Sequence, residues 1–595
     1  MTAIPISFLI ISSFFYIILF VSASPTLDND KIGARSSLPI LNLPYGSYRA
    51  ARYGGVNDIY TFKNIRYAAP PVGDLRWAKP APLLNQSGIQ DGSIGHSCVQ
   101  AAPNGRNLLG TGNQSPIGGA INQFLVGIPL PVFSGGSEDC LFLDIWYIPG
   151  KALGASSGKL PVVVFVYGGA YVFGSKDSLQ PELPFYDGTG LISQSGNNMI
   201  FVAMNYRVGA FGFLAGITME NEGTPNAGAA FQWVRDYISL VGGDPARVTA
   251  MGQSAGGGSI IHHIIGQGGK LVPLFSKAIL LSPAFEYMWD RAGVVQNTFE
   301  AFARMAGCAG QGVSCLRRAD ASALANANTQ LMKQQYSGTF AVGPTPDGSY
   351  IRQLPVLELS TGNFWNMESL ILSHTTSESN VFVNGLVQTD SGFKSIVDAI
   401  FPNYTQAAGI TDKIGAFYAV SGESKYRSQT DRVQALLRDS SFTCNIRHLT
   451  EGFGDSKVWN IQYGVSPGWH GTDLFPIFSA KLGGKSWLEN LAALMTPGIG
   501  SLVSGISVAL QSYLTNYILT GDPNTNRKIF NLPPTVRWNH PNSQAEQISG
   551  VVSLGDWGFS TVRDTQDEKT ACDFWRNIAA AVTSLGGYSP PGVVV

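Results

Sequence analysis

The chain has 595 residues, 44% hydrophobic and 13% charged, with 39 basic against 40 acidic side chains. Its 11 Trp, 22 Tyr and 32 Phe exclude a disordered polymer, because a low-charge, aromatic-rich chain buries enough apolar surface to fold. A formal net charge of -1 supplies no global field for a polyanion, so nucleic acid is excluded as a partner.

Residues 6–21 are almost wholly apolar, and Val21, Ser22 and Ala23 form a small-residue cleavage pattern at the end of this stretch. A spanning helix needs about 20 apolar residues, and this run stops short of Asp28, Asp30 and Lys31. Residues 1–23 therefore read as a cleaved signal peptide and imply an extracellular protein. The n-region has no Lys or Arg, which leaves an uncleaved anchor as the alternative. Asn-x-Ser/Thr triplets at Asn85, Asn113 and Asn403 are glycan acceptors on a secretory route, although such triplets also occur by chance. The six cysteines, Cys98, Cys140, Cys308, Cys315, Cys444 and Cys572, lack CxxC spacing and suit disulfides better than a metal.

Length alone suggests about four domains of roughly 150 residues. No repeat, charge block or long linker divides the chain, so residues 24–595 read as one domain. Short β-branched and apolar runs at 162–167, 200–205, 248–251, 277–281, 369–372 and 458–463 alternate with helical stretches such as 227–241, which Gly242 and Gly243 close. Near-continuous apolar strands linked by helices predict an α/β fold on a large, mostly parallel sheet.

Three GxSxG matches occur, as glycine abundance makes unremarkable. The match at 154–158 lies in a polar loop with no strand before it. The match at 464–468 puts Pro467 after Ser466, where an acyl-transfer site needs a backbone N–H for the oxyanion. The match at 252–256, GQSAG, follows the strand-like RVTAM and opens a helical run containing Gly256, Gly257 and Gly258. Those glycines oppose local helix propensity, which marks a site where close approach matters more. Ser254 is the expected nucleophile, on a strained strand-to-helix turn beside a positive helix N-terminus. A second glycine cluster, Tyr167-Gly168-Gly169-Ala170-Tyr171, ends the strand PVVVFVY, and the N–H groups of Gly169, Ala170 and Ala255 are the expected oxyanion donors.

GQSAGG at 252–257, YGGAYVFGS at 167–175, SEDCLFLDIW at 137–146, MNYRVGAFGFL at 204–214 and GGDPARVT at 242–249 together resemble the type-B carboxylesterase/lipase family, which includes cholinesterases and fungal lipases. Matching segments run from NIRYAAPPVGDLRW at 64–77 to CDFW at 572–575. The resemblance implies a large single-domain α/β-hydrolase with the triad order nucleophile, acid, histidine, acting on small-molecule or lipid esters without metal or cofactor. It says nothing of oligomeric state.

Of seven histidines, His470 in SPGWHGTDL follows a strand through a Gly/Pro loop, where a base can reach back to the strand tips. His96, His262, His263, His374, His448 and His540 read as structural or solvated. Glu378, in TTSESNVFV, stands where the resemblance places the acid, although Ser377 and Ser379 replace the usual Asp-Glu-Gly surroundings. Asp473 and Asp390 are the alternatives, as surface carboxylates. Many relatives carry Glu before the nucleophile; neutral Gln253 removes a charge that would hold a choline head.

The resemblance also implies the pairs Cys98–Cys140, Cys308–Cys315 and Cys444–Cys572. Between the first two lies SPIGGAINQFLVGIPLPVF at 115–133, expected to form an apolar lid in transient contact with a lipid interface, or else ordinary core. Two rival readings keep the fold: a transacylase that hands the acyl group to an alcohol, and a non-catalytic adhesion module.

Overall fold

The computed structural model describes residues 38–585 except 53–58, 102–133, 148–158, 178–185, 221–227, 336–338, 384–386, 402–408, 421–424, 480, 483–484, 487–498 and 526–533. The signal segment, Asn113, Asn403, the expected lid and the match at 154–158 lie outside the described residues. Asn85 is on an exposed stretch, as a glycan acceptor must be.

Eleven strands form one sheet: β1 (Ala51–Arg52), β2 (Tyr60–Arg66), β3 (Phe142–Tyr147), β4 (Leu160–Val166), β5 (Ile200–Met204), β6 (Gly243–Gln253), β7 (Lys277–Leu281), β8 (Ser369–Thr375), β9 (Val458–Gly464), β10 (Gln547–Gly555) and β11 (Gly558–Glu568). Their spatial order is β11-β10-β9-β8-β7-β6-β4-β5-β3-β2-β1. The central strands from β5 through β4 and on to β10 pair in parallel, and antiparallel strands close each edge. Every residue of β4, β5, β7 and β8 is buried, which is why these segments read as continuous apolar runs without a period-two alternation.

The strands expected at 162–167, 200–205, 369–372 and 458–463 shift at their ends by one to three residues, and two further elements differ in kind or by more. The helix expected over 227–241 is α1 (Gly228–Tyr237) followed by a 3₁₀ turn at Ile238–Val241, which Gly242 ends at φ 84°. The strand expected over 248–251 extends over Gly243–Gln253, with a register shift against β4 between Gly243 and Val248. Asp244, Pro245, Ala246 and Arg247 bridge that irregular stretch, and their polarity and proline hide it from a hydrophobicity pattern.

β4 has β5 on one side and β6 on the other, so the order in which strands are added reverses at β4 and β6. Ligands of such sheets sit beyond the carboxyl ends of the strands at this switch point. Gly252 pairs with Val166, so the loops leaving β4 and β6 emerge side by side.

Disulfides join Cys98 to Cys140, Cys308 to Cys315 and Cys444 to Cys572, with Cα separations of 4.9, 5.7 and 5.0 Å. The last ties α4 (Cys444–Phe453) to the C-terminal helix α6 (Lys569–Leu585). Here α2 is Ala255–Ile264, α3 is Gln429–Arg438 and α5 is Ile499–Thr520. A π-helical turn, Asp439–Thr443, interrupts the run between α3 and α4.

Candidate active site

Ser254 stands between β6 and α2 with φ 55° and ψ −125°, a conformation that L residues rarely adopt. Hydrogen bonds hold it there: its N–H donates to Leu281 O at 2.8 Å, and its carbonyl accepts from Gly258 N at 2.9 Å and Ala284 N at 3.0 Å. The glycines around it are needed for space. A Cβ on Gly256 would stand 2.0 Å from Val166 O, and one on Gly258 would stand 2.0 Å from Ala284 O. A Cβ on Gly252 would meet Gly256 C at 2.6 Å, the collision that a sharp strand-to-helix turn forbids.

The loop after β4 carries comparable strain. Gly169, Ala170 and Tyr171 have φ values of 114°, 52° and 63°. Three successive residues in this region turn the backbone so that Gly169 O accepts from Val172 N and Phe173 N. The N–H groups of Gly169, Ala170 and Ala255 have no protein acceptor among the described residues. A Cβ on Gly168 would lie 2.8 Å from the Ser254 Cβ, so the two loops pack directly against each other.

Glu378 and His470 come together from loops after β8 and β9. His470 Nδ1 donates to Glu378 Oε2 at 2.5 Å, and Glu378 Oε1 accepts from Thr375 N at 2.7 Å. Burial alone would raise the Glu378 pKa, but the facing imidazole and these hydrogen bonds hold it below the ordinary carboxylate value. The loops are joined by Thr376 N to Tyr463 O at 2.9 Å and Ser377 N to Gly468 O at 2.8 Å. Phe382 and Phe442 pack on the imidazole with ring centroids 5.2 and 4.8 Å away, and the π-helical turn delivers Phe442 to that position.

His470 Nε2, the lone pair left by this tautomer, accepts from Gln253 Nε2 at 3.2 Å. No hydrogen bond joins Ser254 Oγ to His470. Phe382 and Phe442, which pack on the imidazole, also line the cleft that holds Ser254, Ala170 and Ala255. Catalytic hydrogen bonds are often misaligned before substrate binds and tighten only in the complex.

The other carboxylates lie elsewhere. Asp390 is a surface residue paired with Arg432. Asp473 is buried and is raised to about 7 by that burial and by Glu378, but it makes no hydrogen bond to His470. Ser466 of the rejected match donates to Asp556 Oδ2 at 2.7 Å. His374, read from sequence as unremarkable, forms a buried ion pair with Asp564; burial opposes its charge, yet Asp564 raises it to about 9. Sequence reasoning passes over this pair because its members stand 190 positions apart. It also passes over Phe382, Phe442 and Glu286, which the cleft brings beside Ser254. A larger cavity on α2, lined by His262, His263, Arg207 and Arg291, does not include Ser254. Burial lowers both of its histidines to about 4, so they are neutral.

The profile described as the carboxylesterase family matches residues 37–575. The chain belongs to the carboxylesterase family. It is 37% identical to a protein named secreted lipase from Arthroderma benhamiae, over 93% of this chain and 96% of that one. It is 30% identical to carboxylesterase patB from Penicillium expansum, over 91% and 96% of the two chains. Among solved structures, EstA of Aspergillus niger superposes with a TM-score of 0.72 at 25% identity, covering 92% of this chain and 99% of EstA. This carboxylesterase-family protein is a carboxylic ester hydrolase with an α/β-hydrolase fold. Its relatives are hydrolases, which favours neither the transacylase nor the adhesion reading.

Proposed function

We propose that Ser254 is the nucleophile of this ester hydrolase, with His470 as base, Glu378 as the orienting acid, and Gly169, Ala170 and Ala255 as oxyanion donors. The observation that carries this reading is the strained Ser254 at a helix N-terminus, facing unpaired N–H groups across the switch point. Gln253 yields Nε2 to the incoming Ser254 proton as Oγ attacks the ester carbonyl. The three N–H groups receive the negative oxygen, and Glu378 stabilises the imidazolium. His470 then returns the proton to the departing alcohol, leaving an acyl-enzyme. Water, deprotonated by His470, attacks the acyl carbon and releases the acid and free Ser254.

Secreted relatives and three disulfides support export of the mature chain from residue 24, and the continuous sheet from β1 to β11 supports one domain. Lipid esters fit the lipase relatives. The test is an ester panel of graded acyl length with fluorophosphonate labelling. Ser254→Ala should abolish labelling and lower kcat by about 10⁶-fold. Retention of hydrolysis by the variant overturns the reading. A rise in rate once triglyceride exceeds its solubility is the expected sign of action at a lipid interface, and its absence removes that part.

A further inference from the structure

The cleft over Ser254 is built almost wholly from apolar groups. Phe340, Phe382, Phe442, Met288 and Leu437 form its walls. One carboxyl group interrupts them. Glu286 lines the same cleft, and its Oε2 accepts from Phe340 N at 3.3 Å. Its Oε1 has no protein partner among the described residues. Neighbouring Tyr171 does not satisfy it, because that phenol donates to Ala284 O at 2.7 Å. Glu286 is half-buried, so solvent reaches it in the free protein, and a ligand that displaces that solvent from Oε1 must replace the hydrogen bond or leave the carboxyl unsatisfied. The chemistry at Ser254 gives Glu286 no step, so what remains for it is contact with the part of the substrate away from the scissile bond.

We infer that Glu286 is a specificity-determining residue: its Oε1 exchanges a hydrogen bond with a hydroxyl on the acyl or alcohol portion lodged in the cleft, so hydroxylated esters are preferred to plain alkyl esters. The inference rests on the proposed role of Ser254 and deepens it by naming the substrate class. Burial pushes the Glu286 carboxyl up to about 8, so it carries its proton at neutral pH. With Oε2 accepting from Phe340, the proton sits on Oε1 and offers a donor. A hydroxyl suits this site better than an ammonium, which needs the anion, or an alkyl chain, which leaves Oε1 unpaired. It pairs with either protonation state, accepting from the acid and donating to the carboxylate. A ketone can only accept. The titratable neighbour, Tyr171, is held well above its ordinary value by burial and by Glu286, and so stays neutral throughout. His470 serves every ester alike and cancels in a ratio.

The experiment compares kcat/KM for two matched series: p-nitrophenyl esters of plain and hydroxylated acids of equal length, and butyrate esters of plain alcohols and diols. Wild type, Glu286→Leu and Glu286→Gln are assayed, each normalised by fluorophosphonate labelling. Wild type should favour the hydroxylated member of one series by about tenfold. The series that responds tells which half of the ester occupies the cleft. Glu286→Leu should bring that ratio to about one by improving the plain ester, and Glu286→Gln, which keeps an acceptor and a donor, should retain most of it. In the responding series a keto ester should lose its advantage in wild type above about pH 8, while the hydroxy ester keeps it. Equal rates in both series, or a hydroxyl preference that survives Glu286→Leu, overturns the inference. Those outcomes leave Ser254 labelling intact; a wild-type enzyme that neither labels nor hydrolyses would instead remove the underlying reading.

Discussion

Around Ser254 the backbone is held by residues that lack side chains, whereas Glu378 and His470 are held by side chains that arrive from distant strands. On the nucleophile side, Gly252, Gly256 and Gly258 permit contacts that any Cβ would break, and β4, β6 and α2 close on one another. On the acid side, Glu378 and His470 depend on a hydrogen bond between loops and on β11, which supplies Asp564 to His374 and Gln566 to Thr376 O at 2.7 Å. Steric construction fails abruptly when altered, and electrostatic construction degrades by degrees. Mutagenesis can separate the two.

The largest effect expected on the acid side is that of Glu378→Gln, which keeps the shape but removes the charge and the preference for the Nδ1–H tautomer. By analogy with triad acids generally, kcat should fall by about 10⁴-fold, while the fluorophosphonate-accessible Ser254 backbone and the Tm change little. Stopped assays with active-site titration measure this. A drop under tenfold would hand the role of the acid to Asp473.

Next in size, Gly256→Ala tests the nucleophile side. Its Cβ would need to displace Val166 O and Tyr167 O, at 2.0 and 2.6 Å, so α2 must retreat from β4 and carry Ser254 off its donors. The expected loss in kcat/KM is about 100-fold, with a stability cost of about 1–3 kcal/mol measured by urea unfolding. Unlike Glu378→Gln, this variant should lose activity and stability together.

This contrast also explains what could be read from the sequence. The elbow is local: strand, GQSAG and glycine-rich helix are contiguous, and their steric logic needs only the order of residues. The oxyanion loop follows for the same reason. Glu378 and His470 required a family resemblance, because 92 positions separate them and the flanking serines carry no chemical signal. Phe442 was illegible because a π-helical turn, which shifts side chains off the 3.6-residue period, delivers it. Glu286 was illegible because a lone glutamate in AFEYMW reads as surface until Phe340 and Phe382 are folded over it. His374 met the same obstacle, its partner being on the last strand of the sheet.

Asp564→Asn sharpens the comparison at moderate strength, since it acts on Glu378 only through His374 and the 374–378 backbone. About a tenfold loss of kcat with KM unchanged is expected. Stability supplies a second readout with a definite sign. His374 is raised from its ordinary value to about 9 in the folded chain, so its stabilisation is complete below about pH 6.5 and is lost as pH rises to 9. Wild-type Tm should fall by about 2 °C across that window, and Asp564→Asn should flatten this slope because its His374 has no carboxylate to hold the proton. An unchanged slope would mean that the ion pair does not tie β11 to the acid loop.

The smallest effect belongs to the residue where the two constructions meet. Gln253 ends β6 beside the strained Ser254, yet its amide reaches across to His470 Nε2. Being neutral, it offers a cationic head no attraction, and choline esters should be turned over more slowly than neutral esters of the same acid. Gln253→Glu restores a carboxylate in a buried position, where desolvation offsets most of the attraction for a cation and leaves about 1 kcal/mol or less. The choline-to-neutral ratio of kcat/KM should therefore rise about threefold. Were wild type already to prefer acetylcholine over an aryl acetate, the cleft would draw its cation preference from elsewhere. Glu286, ionised after all, would then be the first residue to exchange.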